Sequence, residues 1–381
     1  MFTGGHIEIL LDSLKLLGES KGSLFKGVKG YEEVSYNNML IGLKYPDFPC
    51  GKYKFENGRM KMSKTLCGFF KILDDTVFVP NMFSMSYSSH NGYFSTWHAM
   101  TYNPRSDVTY EIIDHIMAMC KLSILDDTLD SPAPNTFWLG FALHTIMDSY
   151  SPAHLVREGV KLPLPKKETL SYKENKEITI VDKMKDKIRE VSDKNIKEQE
   201  LDSVVDQIMS ENGIKNLATK RDVRELARFF LFHNQEMNSI AQIRSIVSKT
   251  LTHNIISDPL EDPVFLKKNK VKLIRAYYYY PSQSLFFHQN NDLISQVKLH
   301  GLYDQCVLDC YSILKLYKQA LELMADKKTR MEQLVVVYAF LRKVYKYLVN
   351  VTFKWGNQGQ AKPCLHPPIA PSLRIAKSKS T

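Results

Sequence analysis

The stretch Trp138–Arg157, WLGFALHTIMDSYSPAHLVR, constrains this chain more than any other. Its first half is apolar on every side: Phe137, Trp138, Leu139, Phe141, Ala142, Leu143, Ile146 and Met147 surround His144 and Asp148. A helix that is apolar all round is a buried helix. His144 and Asp148, four residues apart, lie one turn apart on a single face of it. Burying an imidazole and a carboxylate is costly unless each finds a partner. Any fold must therefore close over this helix and supply that partner. A metal ion would satisfy both groups. A structural His–Asp hydrogen bond would too, and HxxxD alone is a common coincidence. Ser151-Pro152 ends the helix, and the pair predicts a new one, with Ser151 as N-cap and Pro152 as first helical residue. That turn is expected to carry His154 back over the same pocket as a third candidate ligand.

Apart from this stretch the chain is ordinary in composition. Its 381 residues, 44% hydrophobic and 24% charged, suit a globular protein of one large domain or two. A formal charge of +10 favours polyanionic partners and does not choose between nucleic acid and an anionic membrane surface. No run of apolar residues is long enough to predict a transmembrane segment. The N-terminal MFTGGHIEILLDSLKLLG has no basic leader region, and Glu8 and Asp12 interrupt its apolar run. A cytoplasmic setting is the expectation, which leaves a viral or intracellular-pathogen origin open. The six cysteines form no CxxC pair and read as reduced thiols, with Cys306 and Cys310 read as packing.

Apolar periodicity predicts helices over 6–17, 108–124, 136–150, 221–252, 284–300, 302–326 and 329–354. Residues 20–60 read mostly as loop, and Pro46 and Pro49 exclude regular helix from 45–53. Residues 86–104 form an aromatic, polar loop segment. The charge-rich block 161–225 reads either as an exposed helical pair or as a partly disordered insertion, its charges a solvated face. These features predict an all-α, multi-helix domain with long loops. It is split into 1–160 and 226–355 around the charged insertion 161–225, and 356–381 is expected to be a disordered basic tail.

Further candidate ligands are scattered along the chain. A second HxxxD stands at His288 and Asp292, in SLFFHQNNDLIS. His98 and His90 lie in the aromatic loop, His6 opens the first helix, and Asp47 sits on a stiff loop between two prolines. His233, with Glu236 nearby, is a weaker rival to His288, while His115, His253, His300 and His366 read as core or surface residues. Arg157 could meet a phosphate or make an ordinary salt bridge. The run Tyr277–Tyr280 could stack bases, line a lipid cleft or simply pack.

GGHIEI, YPD, WHAMTYNP, ALHTIMDSYSPAH and FHQNND, in that order, resemble the zinc-dependent phospholipase C family and the related zinc single-strand nucleases. The resemblance covers short segments only. It implies an all-helical fold with two to three Zn2+ ions. His98, His144 and Asp47 would hold one ion of a close pair, and Asp148 would bridge to the second, which His6 and the amino group of Met1 would complete. His154, His288 and Asp292 would hold the third. The implied activity is phosphodiester hydrolysis by a zinc-activated water attacking phosphorus, with Asp47 as general base. A phospholipid head group is the expected substrate, with peripheral contact to an anionic membrane, and single-stranded nucleic acid is the alternative. A scaffold that is family-like but structural or partner-binding is a third reading. HAMTYNP favours His98 over His90. The chain departs from the family in two ways: Met1 stands where the family has a processed Trp, and a long connection separates His154 from His288.

Overall fold

The structure, a computed structural model, describes residues 3–21, 24–25, 34–47, 53–56, 59–62, 92–100, 109–126, 134–161, 198–211, 215, 217–249, 254–266, 272–276, 288 and 290–354. Met1, His90, His253, His366, Tyr277–Tyr280 and the tail 356–381 lie outside the described residues, so the expectations placed on them have no counterpart here.

Helix dominates. The order is α1 (Thr3–Leu16), α2 (Val34–Lys44), hairpin strands β1 (Tyr53–Glu56) and β2 (Arg59–Met62), a 3-10 turn Gly92–His98, α3 (Thr109–Ile124) and α4 (Thr136–Asp148). Strand β3 (Leu155–Arg157), α5 (Glu198–Glu211), α6 (Leu217–Lys249), α7 (Pro263–Leu266) and strand β4 (Leu273–Ala276) follow. The chain continues through α8 (Ile294–Leu299), α9 (Tyr303–Met324) and α10 (Arg330–Tyr347), which runs on as a π turn, Leu348–Thr352. No helix among the described residues is long and apolar enough to cross a membrane.

Every residue of α4 is buried. Asn135 caps its start by accepting from the Phe137 amide at 3.2 Å. The Asn135 amide and the Trp138 indole both donate to Asp126 Oδ2, at 2.8 and 2.7 Å, which pins the cap. Phe137, Leu139, Phe141, Leu143 and Ile146 are fully buried. Burial of such side chains contributes about 1.5–3 kcal/mol each, enough in sum to offset the cost of the polar groups the helix also buries. Helices α1, α2, α3 and α9 surround it.

The closest of these contacts is with α2, and glycines make it possible. A Cβ at Gly42 would stand 1.8 Å from the Phe137 carbonyl oxygen, and one at Gly140 2.0 Å from that of Met39. Neither backbone could come so near the other with a side chain at either point. Residues 20–60 therefore contain a helix where the sequence predicts mostly loop. Tyr36, Met39 and Leu43 recur at helical spacing and are buried, so an apolar stripe and this close backbone approach together hold α2. The β1–β2 hairpin, with Tyr53 opposite Met62, is a second departure from the expected loop.

After α4 the structure also corrects the expected second helix. Ser151 accepts the Ala153 amide on its hydroxyl at 3.3 Å, and its carbonyl accepts the amides of His154 and Leu155 at 3.0 and 3.1 Å. The chain makes one tight turn and then enters β3 instead of a helix. Helical continuation is ruled out here because Leu155 pairs with Ala276 of β4 and is committed to the ladder.

Within the charged block, α5 buries Leu201, Val205 and Ile208. It packs against α6, and Lys220–Asp206 and Arg224–Asp202 ion pairs tie the two helices. Helix α6 begins at Leu217 and runs unbroken to Lys249.

Candidate metal centre

Five polar side chains from four segments converge on the end of α4. Asp148 is the hub: its Oδ1 lies 2.9 Å from His6 Nε2, and its Oδ2 lies 2.8 Å from His98 Nδ1 and 3.0 Å from His144 Nε2. Asp47, just past α2, stands 3.6 Å from His6 Nδ1 and 3.8 Å from His144 Nε2. His6, His98, His144 and Asp148 are fully buried, and the Asp47 side chain is 13% exposed. Two triads, His6–His144–Asp148 and Asp47–His98–His144, each bring their ligand atoms within 4.8 Å of one another.

The second nitrogen of each ring reveals what the first can offer. His144 Nδ1 donates to the Leu43 carbonyl at 2.8 Å, a bond that the α2–α4 contact makes possible. His98 Nε2 donates to the Pro46 carbonyl at 3.3 Å. Carbonyls accept only, so in neutral rings these bonds fix the tautomers and leave the lone pairs at His144 Nε2 and His98 Nδ1. The two lone pairs are 3.1 Å apart, and both face a carboxylate oxygen. Acceptors meeting acceptors away from water repel one another. A cation among them turns that repulsion into coordination, with backbone carbonyls as the outer supports typical of metal-bound histidine. The donor set therefore fits a metal ion. Its imidazole nitrogens and carboxylate oxygens, without thiolate, suit a divalent transition-metal cation.

Burial and the contacts between these groups set their charge. Burial works to raise the pKa of Asp148, but the imidazoles that face it, those of His144, His154 and His6, hold it well below the carboxylate range. Asp47 is opposed by burial too and is held low, chiefly by His144 and His6. Burial pushes His144 down and outweighs the two carboxylates facing it. For His6 burial also works downward, yet Asp148 and Asp47 prevail and raise it.

A second group adjoins the first. His154, His288 and Asp292 form a buried triad with ligand atoms within 4.8 Å of one another. His154 Nε2 stands 3.5 Å from Asp292 Oδ1, His288 Nε2 stands 3.7 Å from Asp292 Oδ2, and the two rings stack with centroids 5.0 Å apart. Burial lowers His154 to about 3 and His288 to about 4, so both imidazoles are neutral and able to ligate at pH 7. The groups meet where His154 Nδ1 comes within 3.5 Å of Asp148 Oδ2. Ser151, expected as a helix cap, instead donates to Asp292 Oδ1 at 2.6 Å and orients that carboxylate.

Eight of the nine sequence-predicted ligands are thus brought together: His6, Asp47, His98, His144, Asp148, His154, His288 and Asp292. Met1, the ninth, lies outside the described residues. His233 is no rival to His288. It lies in a separate buried pair, its Nε2 2.7 Å from His115 Nδ1, while Glu236 bonds Lys121 at 2.8 Å. Arg157 is fully buried and turns inward, where it donates to Ser149. The sequence alone suggests no role for Leu43 and Pro46, whose carbonyls set the histidine tautomers. Their only signal is position, one on each side of Lys44-Tyr45 and just ahead of Asp47.

No family model, curated protein or solved structure matches this chain.

Proposed function

We propose that the chain is a zinc-dependent phosphodiester hydrolase similar to the zinc phospholipase C and zinc nuclease family, acting first on the phosphodiester of a lipid head group. The observation that carries this reading is His144 Nε2 standing 3.0 Å from Asp148 Oδ2 and 3.8 Å from Asp47 Oδ1, with the Nδ1 proton of His144 committed to Leu43. Support also comes from the order of the ligands along the chain, which is the order the resemblance implies. Bound zinc supplies Lewis acidity toward water and phosphoryl oxygen. The side chains do the rest. Asp148 holds His6, His98 and His144 in one constellation. Leu43 and Pro46 fix which nitrogen each ring presents. Asp47, the most exposed of the eight side chains and ionised at pH 7, is the residue placed to take a proton from an attacking nucleophile.

Single-stranded nucleic acid is the alternative substrate, and the +10 charge suits either polyanion. The assembled ligand set favours a metal site over a purely structural scaffold, because eight histidine and aspartate side chains meet in two adjoining buried groups.

The test is elemental analysis of protein purified without chelators, beside Asp148→Ala, followed by phosphatidylcholine and single-stranded DNA as substrates. Two to three zinc ions, falling by at least one in Asp148→Ala, together with hydrolysis of the lipid, support the reading. Hydrolysis of DNA alone selects the nuclease. Absence of zinc after its re-addition overturns the hydrolase and leaves the cluster a structural one.

A further inference from the structure

We propose that Arg157 is a positioning residue: from β3 it clamps the turn between Asp148 and His154 and so sets the spacing between the two ligand groups. The inference rests on the metal reading above. Asp148 ends α4 and His154 follows the turn, so one short reversal carries a ligand of each group. Their separation, 3.5 Å from Nδ1 to Oδ2, depends on that reversal keeping its shape.

Arg157 reaches back across it. Its Nε donates to the Ser149 carbonyl at 3.1 Å, and an Nη donates to the Ser149 hydroxyl at 3.0 Å. The same hydroxyl donates to the Ile146 carbonyl at 2.6 Å, which ties the clamp to the last turn of α4. A register irregularity between Val156 and Arg157 interrupts the β3–β4 ladder, and such irregularities re-aim side chains. The guanidinium carbon lies 3.9 Å from the centre of the Tyr150 ring. Tyr150 in turn donates to Asp309 Oδ2 at 2.6 Å, and Asp309 also accepts from Gln305, Tyr347 and Thr352. The turn is therefore held from β3 by Arg157 and from α9 by Asp309. A planar fork that bonds two neighbouring acceptors while stacking on a ring is a property of arginine that lysine does not share.

Arg157 bonds Ser149 and stacks on Tyr150, both within the turn, so it acts through the turn. Titration of the apo protein with Co2+, read by its visible absorption, reports each group. A His288→Ala background silences the second group and assigns the signals. In Arg157→Met the His154–His288–Asp292 group is expected to lose about 10- to 100-fold in affinity, the range for an outer support. The Asp47–His98–His144 group is expected to change by less than about threefold, below that range. Arg157→Lys should recover only part of the loss.

Equal losses at both groups, or no loss at either, overturn the proposal, since a merely structural arginine would not discriminate between them. If Arg157→Met fails to fold, Ser149→Ala removes one acceptor of the clamp and must show the same selective loss in smaller measure; an unselective effect there also overturns it. Wild-type protein that binds no Co2+ overturns the metal reading itself. Wild-type protein that binds it, beside an unaltered Arg157→Met, overturns only the role of Arg157.

Discussion

Gly140 faces the Met39 carbonyl so closely that a Cβ on it would lie 2.0 Å from that oxygen. The contact sits close in sequence to Leu43, whose carbonyl holds His144 Nδ1, and the packing of two helices thus decides the tautomer of a candidate ligand. Gly140→Ala must push α2 away from α4, since the obstacle is backbone and cannot rotate aside. We expect a loss of about 3 kcal/mol in urea denaturation, at the upper end for an overpacked core. Bound metal should weaken with it. An alanine variant with wild-type stability would mean the helices do not approach as described.

The buried His115–His233 pair makes a contrasting case. Burial lowers His233 to about 3, so it is neutral, and its ring fills space beside Trp97. His233→Ala strips the partner from His115 Nδ1 and leaves a cavity. Its expected cost is about 3 kcal/mol, with zinc stoichiometry unchanged by elemental analysis. Loss of an ion would make His233 a ligand and dissolve the distinction drawn between His233 and His288.

Asp114 offers a dependence on pH away from the metal centre. Burial raises its carboxyl to about 6, against the pull of Arg244, which bonds it at 3.0 Å. The folded state then binds more protons than the unfolded state between about pH 4 and 6, so this group's contribution is full below the unfolded pKa and is lost as pH rises through about 6. Asp114→Asn should remove that component. The difference in urea stability, wild type minus variant, is expected to fall from pH 4 to pH 7. A difference that rises over that interval would reverse the sign and refute the assignment.

Much of the helical core is legible in the sequence because α1, α3, α4, α6, α9 and α10 carry apolar residues at helical spacing. Helix α2 carries Tyr36, Met39 and Leu43 at that spacing too, but turn-forming residues on both sides obscure it in the sequence, and its place depends on Gly42 meeting Phe137, a contact between segments far apart in sequence. The β1–β2 hairpin does carry a local signal, the Asn57-Gly58 pair between alternating segments, which is a strong hairpin dipeptide. Ser151-Pro152 marks the interruption of α4 but not the start of another helix, since Leu155 is taken up by strand pairing with Ala276. Among the site residues, the ligands are visible because they recur as His and Asp at spaced positions. Their supports, Leu43, Pro46 and Arg157, act through backbone carbonyls or an inward guanidinium, and no pattern in a single sequence marks those.

The bond from Ser151 to Asp292 spans 141 residues of chain. Closing so long a loop costs little more than closing half of it, since each doubling adds only about 0.6 kcal/mol. The intervening length is thus nearly free to vary in thermodynamic terms. Kinetically it is not neutral: contacts between remote segments form late, because the loop must close before they reward it. The His154–His288–Asp292 group, and with it the His6–Asp148 contact that spans 142 residues, should accordingly assemble after His98 has met Asp148 across 50.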